Sequence, residues 1–298
     1  MPLHSDAELS RVPAGKLHPK PAPGVDAPTE LPALSAPTLT APNALTPIPN
    51  AGIQLNHGRI GYVSYIQTAS LSASSGSGTV AALSTPSTWE RWQPDSGTHT
   101  VTATLSAAQM VDYIGLAGYD LAGGTVTVAI SPDLVSGFTA VATITDFSKE
   151  SIMRLFDTVS ARRIQLTVTR GTAPAIGVFY CGAVLALERA TRGGSTPTTL
   201  NRSTSYSNEF SAAGQILGRV INRQGLKAKV NLKNLTDAWY RSNFDPFVVA
   251  ARTQPFFYLW NPRDYPADCI YGVASDDIAP TLQGGRALTD VSFDIEGV

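Results

Sequence analysis

Cysteine is scarce in this chain: Cys181 and Cys269 are the two among 298 residues. Neither has a second cysteine or a histidine at ligand spacing, so there is no basis for a zinc site or a disulfide framework, and two buried apolar thiols are expected. Charge is scarce as well. Only 15% of residues are charged, against roughly 25% in an average soluble domain. With 22 Lys+Arg against 23 Asp+Glu, no electropositive field exists to draw a phosphate backbone, which argues against nucleic-acid binding. No apolar run approaches the roughly 18 residues of a bilayer span, and Met1 to Ser10 lacks a basic start followed by an apolar stretch. A soluble protein made in the cytoplasm is the expectation.

Catalytic signatures are missing too. The sequence holds no G-x-S-x-G, no H-E-x-x-H and no Walker loop, and its histidines, His4, His18, His57 and His99, fall in loop or tail segments away from any ligand or nucleophile partner. Asp276-Asp277 is an isolated acidic pair that reads either as a solvated turn or as a weak cation contact. The expectation is a protein that is not an enzyme and uses no cofactor and no metal.

What is present divides into three stretches. Residues 1–52 read as an extended Pro-rich arm, since 11 of the 21 prolines lie in the first 50 residues. Such spacing cannot propagate a helix or fill an interior sheet position. The arm is expected to order by docking on a neighbouring subunit.

Residues 53–188 read as short strands divided by turn residues. Val126, Val128 and Ile130 alternate with Thr125, Thr127 and Ala129, and Ile164, Leu166 and Val168 alternate with Gln165, Thr167 and Thr169, so each run turns one apolar face inward. Val111 to Ala117, VDYIGLA, is more continuously apolar and predicts a strand buried on both sides. The stretch is expected to be a β-sandwich. Trp89 and Trp92, with Glu90, Arg91 and Gln93, place two aromatic faces and three hydrogen-bonding side chains in one loop, the chemistry that stacks on and orients a sugar. The alternative reading puts one of the two, Trp92, at the floor of the sandwich. Tyr119 and Asp120, in the loop expected after VDYIGLAG, are secondary candidates.

The order TASLSASSGSG, STWERWQP, THTVTATLSAAQMVDYIGLAGYDL, TVTVAISPDLVSGFTAV and ARRIQLTVT resembles a discoidin-type (F5/8 type C, galactose-binding-like) jelly roll. The resemblance covers about 130 residues of this chain. It implies a sandwich whose loops at one end hold glycans or lipid head groups.

Residues 189–298 have a different grammar, expected to be a β-rich assembly domain with a helix near 236–253. Leu226, Ala228, Val230 and Leu232 alternate with Lys227, Lys229, Asn231 and Lys233, and Val291, Phe293 and Ile295 alternate with Ser292, Asp294 and Glu296. Side by side, one cationic and one anionic face would pair across the strands. Thr236 is a good N-cap, and Asp245-Pro246 is a plausible restart of the helix. The aromatic run 255–266 reads as core. The segments from Gly214 to Pro280 and from Ala287 to Val298 resemble the C-terminal part of tailed-bacteriophage minor tail proteins, which often carry a discoidin-like module ahead of it. This resemblance implies a structural virion protein at the distal tail or tail tip, in a homo-oligomeric ring, with tail tube, hub or tape-measure neighbours as partners. The alternative is an adhesin that holds a host cell-surface glycan through the discoidin-like domain.

Overall fold

Runs in which Thr and Ser alternate with Val, Ile and Leu become strands in the computed structural model, which describes residues 56–284 and 287–298. The expected arm, 1–52, lies outside the described residues. In chain order the strands are β1 (Arg59–Gly61), β2 (Ser70–Ala73), β3 (Gly97–Asp120), β4 (Thr125–Ser131), β5 (Thr139–Ile144), β6 (Ser151–Arg170) and β7 (Ala175–Gly182). There follow β8 (Leu185–Ala186), β9 (Arg202–Phe210), β10 (Ile216–Thr236), β11 (Phe256–Leu259), β12 (Cys269–Ala274), β13 (Pro280–Leu282) and β14 (Leu288–Gly297). The architecture is mainly β, as the alternation predicts.

The first sheet runs β2-β3-β6-β4-β5, with β7 on β3 as well. Strands β3 and β6 are 24 and 20 residues long, and their pairing slips between Thr104 and Gln109, an irregularity that bends a ribbon. Val101, Ala103 and Leu105 before the slip share one core with Val111, Ile114 and Leu116 after it. The bent ribbon therefore supplies both layers of a β-sandwich.

The second sheet runs β8-β1-β11-β12-β14-β10-β9, with β13 on β14. The two alternating strands do lie side by side, antiparallel, with Lys227 opposite Glu296 and Lys229 opposite Asp294. Lys227 Nζ lies 3.4 Å from Asp294 and 3.6 Å from Glu296. A one-residue slip would reverse these faces, so charge and apolar pattern specify the same register. Ala228, Val230, Leu232, Phe293 and Ile295 face inward against the helical segment.

That segment has three parts: α1 (Asp237–Trp239), a π-helical turn (Tyr240–Phe244) and α2 (Asp245–Ala251). Thr236 caps it, accepting from the Trp239 N–H at 3.4 Å. Pro246 cannot donate to the preceding turn. The chain meets this with the wider turn just before it, in which the Asp245 N–H reaches Tyr240 O, and continues without a break.

Strand β3 is buried on both sides where VDYIGLA predicts it. Ile114 and Leu116 face the sandwich core, while Tyr113 and Ala117 join Val178, Tyr180, Phe257 and Tyr271 in a third cluster between the sandwich and the second sheet. The expected boundary near 188 is crossed in this sense: β1 and β8, from the N-terminal side of it, are strands of the second sheet. The described residues belong to one compact unit.

Beside this junction Arg59 is buried, donating to the carbonyls of His57 at 2.6 Å and Gly58 at 3.3 Å. His57, expected in a loop, is buried there too, with Nδ1 2.9 Å from Leu187 O. Asp112 accepts the Val184 N–H at 2.8 Å. Burial pushes its carboxyl above the usual range, outweighing that hydrogen bond and the charge of Arg59. A carboxyl raised in the folded state binds protons more readily there than in the unfolded chain, so its ionisation costs stability as pH climbs past the ordinary carboxylate range. Asp112→Asn keeps an acceptor for Val184 and removes the charge. Its urea midpoint is expected above wild type at about pH 7, with the two converging near pH 4; a lower midpoint at neutral pH would show that the charge is needed for Arg59.

Candidate functional site

The loop 85–93 lies on the outer edge of β7. Trp92 N–H donates to Ile176 O at 2.8 Å and Ile176 N–H donates back at 3.1 Å, a two-bond bridge that continues the sheet by one residue. Ser87 Oγ accepts the N–H groups of Trp89 (3.2 Å) and Glu90 (3.4 Å), a Ser turn that reverses the chain at the tip. Tyr271 Oη, from the second sheet, donates to Pro86 O at 2.7 Å. The tip is therefore held by main chain, by a side-chain turn and by the neighbouring sheet.

Glycine lets the loop sit so close. Gly118 has φ 62°, and a Cβ there would stand 2.8 Å from Thr88 Cβ. Any larger residue would combine left-handed backbone strain with a clash against the loop.

The two tryptophans part company at this loop. Trp92 is fully buried, and its Nε1–H donates to Ser75 O at 3.0 Å. It packs with Ile66, Leu83, Ile176 and others in the sandwich core, so it has no face to offer a sugar. Trp89 is 90% exposed. Glu90, Arg91 and Gln93 are exposed around it. Glu90 accepts from Thr85 Oγ1 at 3.3 Å, Arg91 Nε donates to Thr88 O at 3.3 Å, and the Gln93 N–H is held by Thr79 Oγ1 at 3.1 Å.

Tyr119 and Asp120 differ from expectation: they belong to β3 itself, not to a loop after it. Tyr119 pairs with Ile176, whose other neighbour is Trp92, so the strand end and the loop are two strand spacings apart, about 10 Å. Tyr119 Oη is engaged, donating to Lys149 O, and its ring meets Phe147 edge-on at 5.6 Å. Burial pushes its phenol up. The Asp120 carboxylate pairs with Arg170 at 2.8 Å. Both groups are engaged at the end of the sandwich, while Trp89, Glu90, Arg91 and Gln93 are exposed on the loop.

Both cysteine thiols are buried and unbridged, and burial pushes that of Cys269 up to about 12, away from the thiolate form. Asp277 of the acidic pair lies 3.6 Å from Arg252. Among the described residues no group of three or more His, Cys, Asp or Glu is placed to hold a metal ion, and no helix is long and apolar enough to cross a membrane.

No protein-family model matches the sequence, and no curated protein matches it. Solved structures do. The chitosan-binding module 1 of a chitosanase/glucanase from Paenibacillus sp. IK-5 aligns at 19% identity and TM-score 0.36, over 40% of this chain and 98% of the module. The family 32 carbohydrate-binding module of NanJ from Clostridium perfringens, in complex with galactose, aligns at 17% identity and TM-score 0.36, over 41% and 98%. A further Clostridium perfringens module, CBM32-5, in complex with GalNAc-β-1,3-galactose, aligns at 11% identity and TM-score 0.37, over 41% and 100%.

Proposed function

We propose that this chain is a binding and assembly protein without catalytic activity, whose sandwich presents a glycan-binding loop and whose C-terminal sheet joins it to copies of itself. The observation that carries the first half is Trp89: a large indole 90% exposed on a loop that is itself fixed at several points. An apolar ring held in water without covering by its own fold is suited to a flat C–H surface, and stacking on a sugar supplies one. Glu90, Arg91 and Gln93 stand beside it to accept and donate to hydroxyls. Because the loop is ordered before the ligand arrives, little conformational entropy is lost on binding.

The test is a glycan microarray probed with the wild-type chain and with Trp89→Ala. The wild type is expected to retain a defined set of oligosaccharides and the variant to lose at least tenfold in signal on all of them. Equal retention by both would move the site elsewhere.

The second half is favoured by a different observation, an exposed apolar hairpin formed by β9 and the start of β10, which asks for a partner. Together with the likeness of 214–280 and 287–298 to minor tail proteins, it supports a structural role at the distal tail or tail tip of a tailed bacteriophage. The chain would sit there in a ring beside tail tube, hub or tape-measure proteins, with its sandwich facing a host glycan. Immunogold labelling of virions with an antibody against residues 56–187 is expected to mark the tail end. Absence of the protein from purified virions would contradict that location.

A further inference from the structure

Beyond Leu226, where β10 begins to pair with β14, the strand has β9 as its one neighbour among the described residues. Residues 203–225 thus form a two-stranded ribbon, closed by a turn in which the Ser211 N–H donates to Gln215 O at 2.8 Å. A two-stranded ribbon is marginal by itself in water. This one is also unusually apolar. Phe210 (58% exposed) is paired with Ile216 (77%), and Tyr206 (47%) with Ile221 (52%), while Leu217 and Val220 are 68% and 59% exposed. Singly exposed apolar side chains need no explanation, but six on one short ribbon mark an interaction surface. Its charges are mainly cationic. Arg219 and Arg223, with Arg202 at the ribbon's base, stand against Glu209; Arg223 lies 4.0 Å from Glu296, while Arg219 lies over Tyr206 at 4.2 Å, with Asn208 and no carboxylate as its hydrogen-bond partner.

A surface of opposite character lies at the other end of the same strand. Two adjoining clefts of about 440 and 450 Å³ run beside the helical segment and share Val248, Arg252 and Ile278. Leu282 on β13, which lines one of them, is 68% exposed. The clefts are acidic, with Asp237, Asp245, Asp276 and Asp277 against Arg241 and Arg252. Asp237 and Asp277 are taken up by those arginines; Asp245 and Asp276 have no ion-pair partner among the described residues.

The ribbon cannot reach the cleft of its own chain. Ile221 lies seven residues before Ala228, which is in register through Ile295 with Ala274 at the near end of the clefts, and 15 before Thr236 at their far end, about 23 to 50 Å at the rise of a strand. We propose that the β9–β10 ribbon of one copy seats in the acidic cleft beside the helical segment of a second copy, its apolar side chains covering Leu282 and its arginines meeting Asp245 and Asp276. The contact is head-to-tail, using different surfaces on the two copies, and such a contact repeats until it closes into a ring. This rests on the assembly reading above and names its device.

Sedimentation velocity on the full chain tests it with two variants at exposed positions, where folding is little affected. Leu217→Asp with Ile221→Asp disables the ribbon; Asp276→Lys with Leu282→Lys disables the cleft. The wild type is expected to be a multimer, each variant alone a monomer, and an equimolar mixture of the two a dimer that grows no further, because one good ribbon and one good cleft remain. A multimeric cleft variant beside a monomeric ribbon variant would show ribbons pairing with each other and overturn the proposal. Two variants as multimeric as the wild type would overturn it while leaving self-assembly intact through another surface. A wild type monomeric up to its solubility limit would overturn both.

Discussion

Trp92→Ala lowers the stability of the protein by about 3–5 kcal/mol, while Trp89→Ala, in the same loop, leaves it within about 0.5 kcal/mol. The contrast follows from burial. Trp92 is fully enclosed in the sandwich core, its ring against Ile66, Leu83 and Ile176, and its Nε1–H satisfied by Ser75 O. Truncation leaves a cavity and an unpaired carbonyl, and it loosens the loop that the Trp92–Ile176 bridge fixes to β7. Trp89 gives up no packing because it has almost none. Urea unfolding of the two variants measures both effects, and glycan retention should separate them in the opposite order, with folded Trp89→Ala losing binding. If Trp89→Ala were the destabilising change, the indole would be packed and the binding surface proposed here would not exist.

The second large effect is expected at the junction. Gly115 lies on β3 between Tyr113 and Ala117, facing the second sheet, and a Cβ there would come within 2.5 Å of the Phe257 ring. The ring cannot step aside. Phe257 is fully buried, with Tyr271 at 4.6 Å and Tyr180 at 5.4 Å between centroids. Gly115→Val is therefore expected to cost about 3 kcal/mol through overpacking. Making room with Phe257→Ala in the same chain should recover part of that loss, a coupling between neighbours that a double-mutant cycle reads directly. Strictly additive losses would mean that the two surfaces are not in contact.

Much of this fold is legible in the sequence where the period is clean. Leu226 to Lys233 and Val291 to Glu296 announce two strands and opposite charges, and the structure pairs them residue for residue. Thr236 and Asp245-Pro246 mark the start and the restart of the helical segment; what they do not announce is that a π-helical turn, not a kink, absorbs the proline. The three residues of β1 are too few for any period to show, so the strand linking the N-terminal side of the sandwich to the second sheet is invisible from sequence. The reading that places Trp92 at the floor of the sandwich holds, with Trp92 buried and Trp89 exposed; what fixes it there is the bridge to Ile176, far along the chain and invisible in STWERWQP. Tyr119 and Asp120 are misread as loop because the polar pair ends an apolar run, whereas pairing with Ile176 and Ala175 carries β3 through them. Val220 and Ile221 carry the opposite lesson. They look like core residues, and it is the length of β10 beyond its last contact with β14 that leaves them in water.

The central claim is that a carbohydrate covers Trp89. The chain has four tryptophans, hence four indole N–H resonances in a ¹H–¹⁵N spectrum, and Trp89→Phe assigns one of them. Titrating the wild type with galacto-, gluco- and chito-oligosaccharides is expected to shift that resonance first and furthest with at least one series, while the buried Trp92 signal stays within a fraction of that change. Saturation of the whole panel with the Trp89 signal unmoved, or a sugar that shifts other indoles and leaves it in place, would contradict the account.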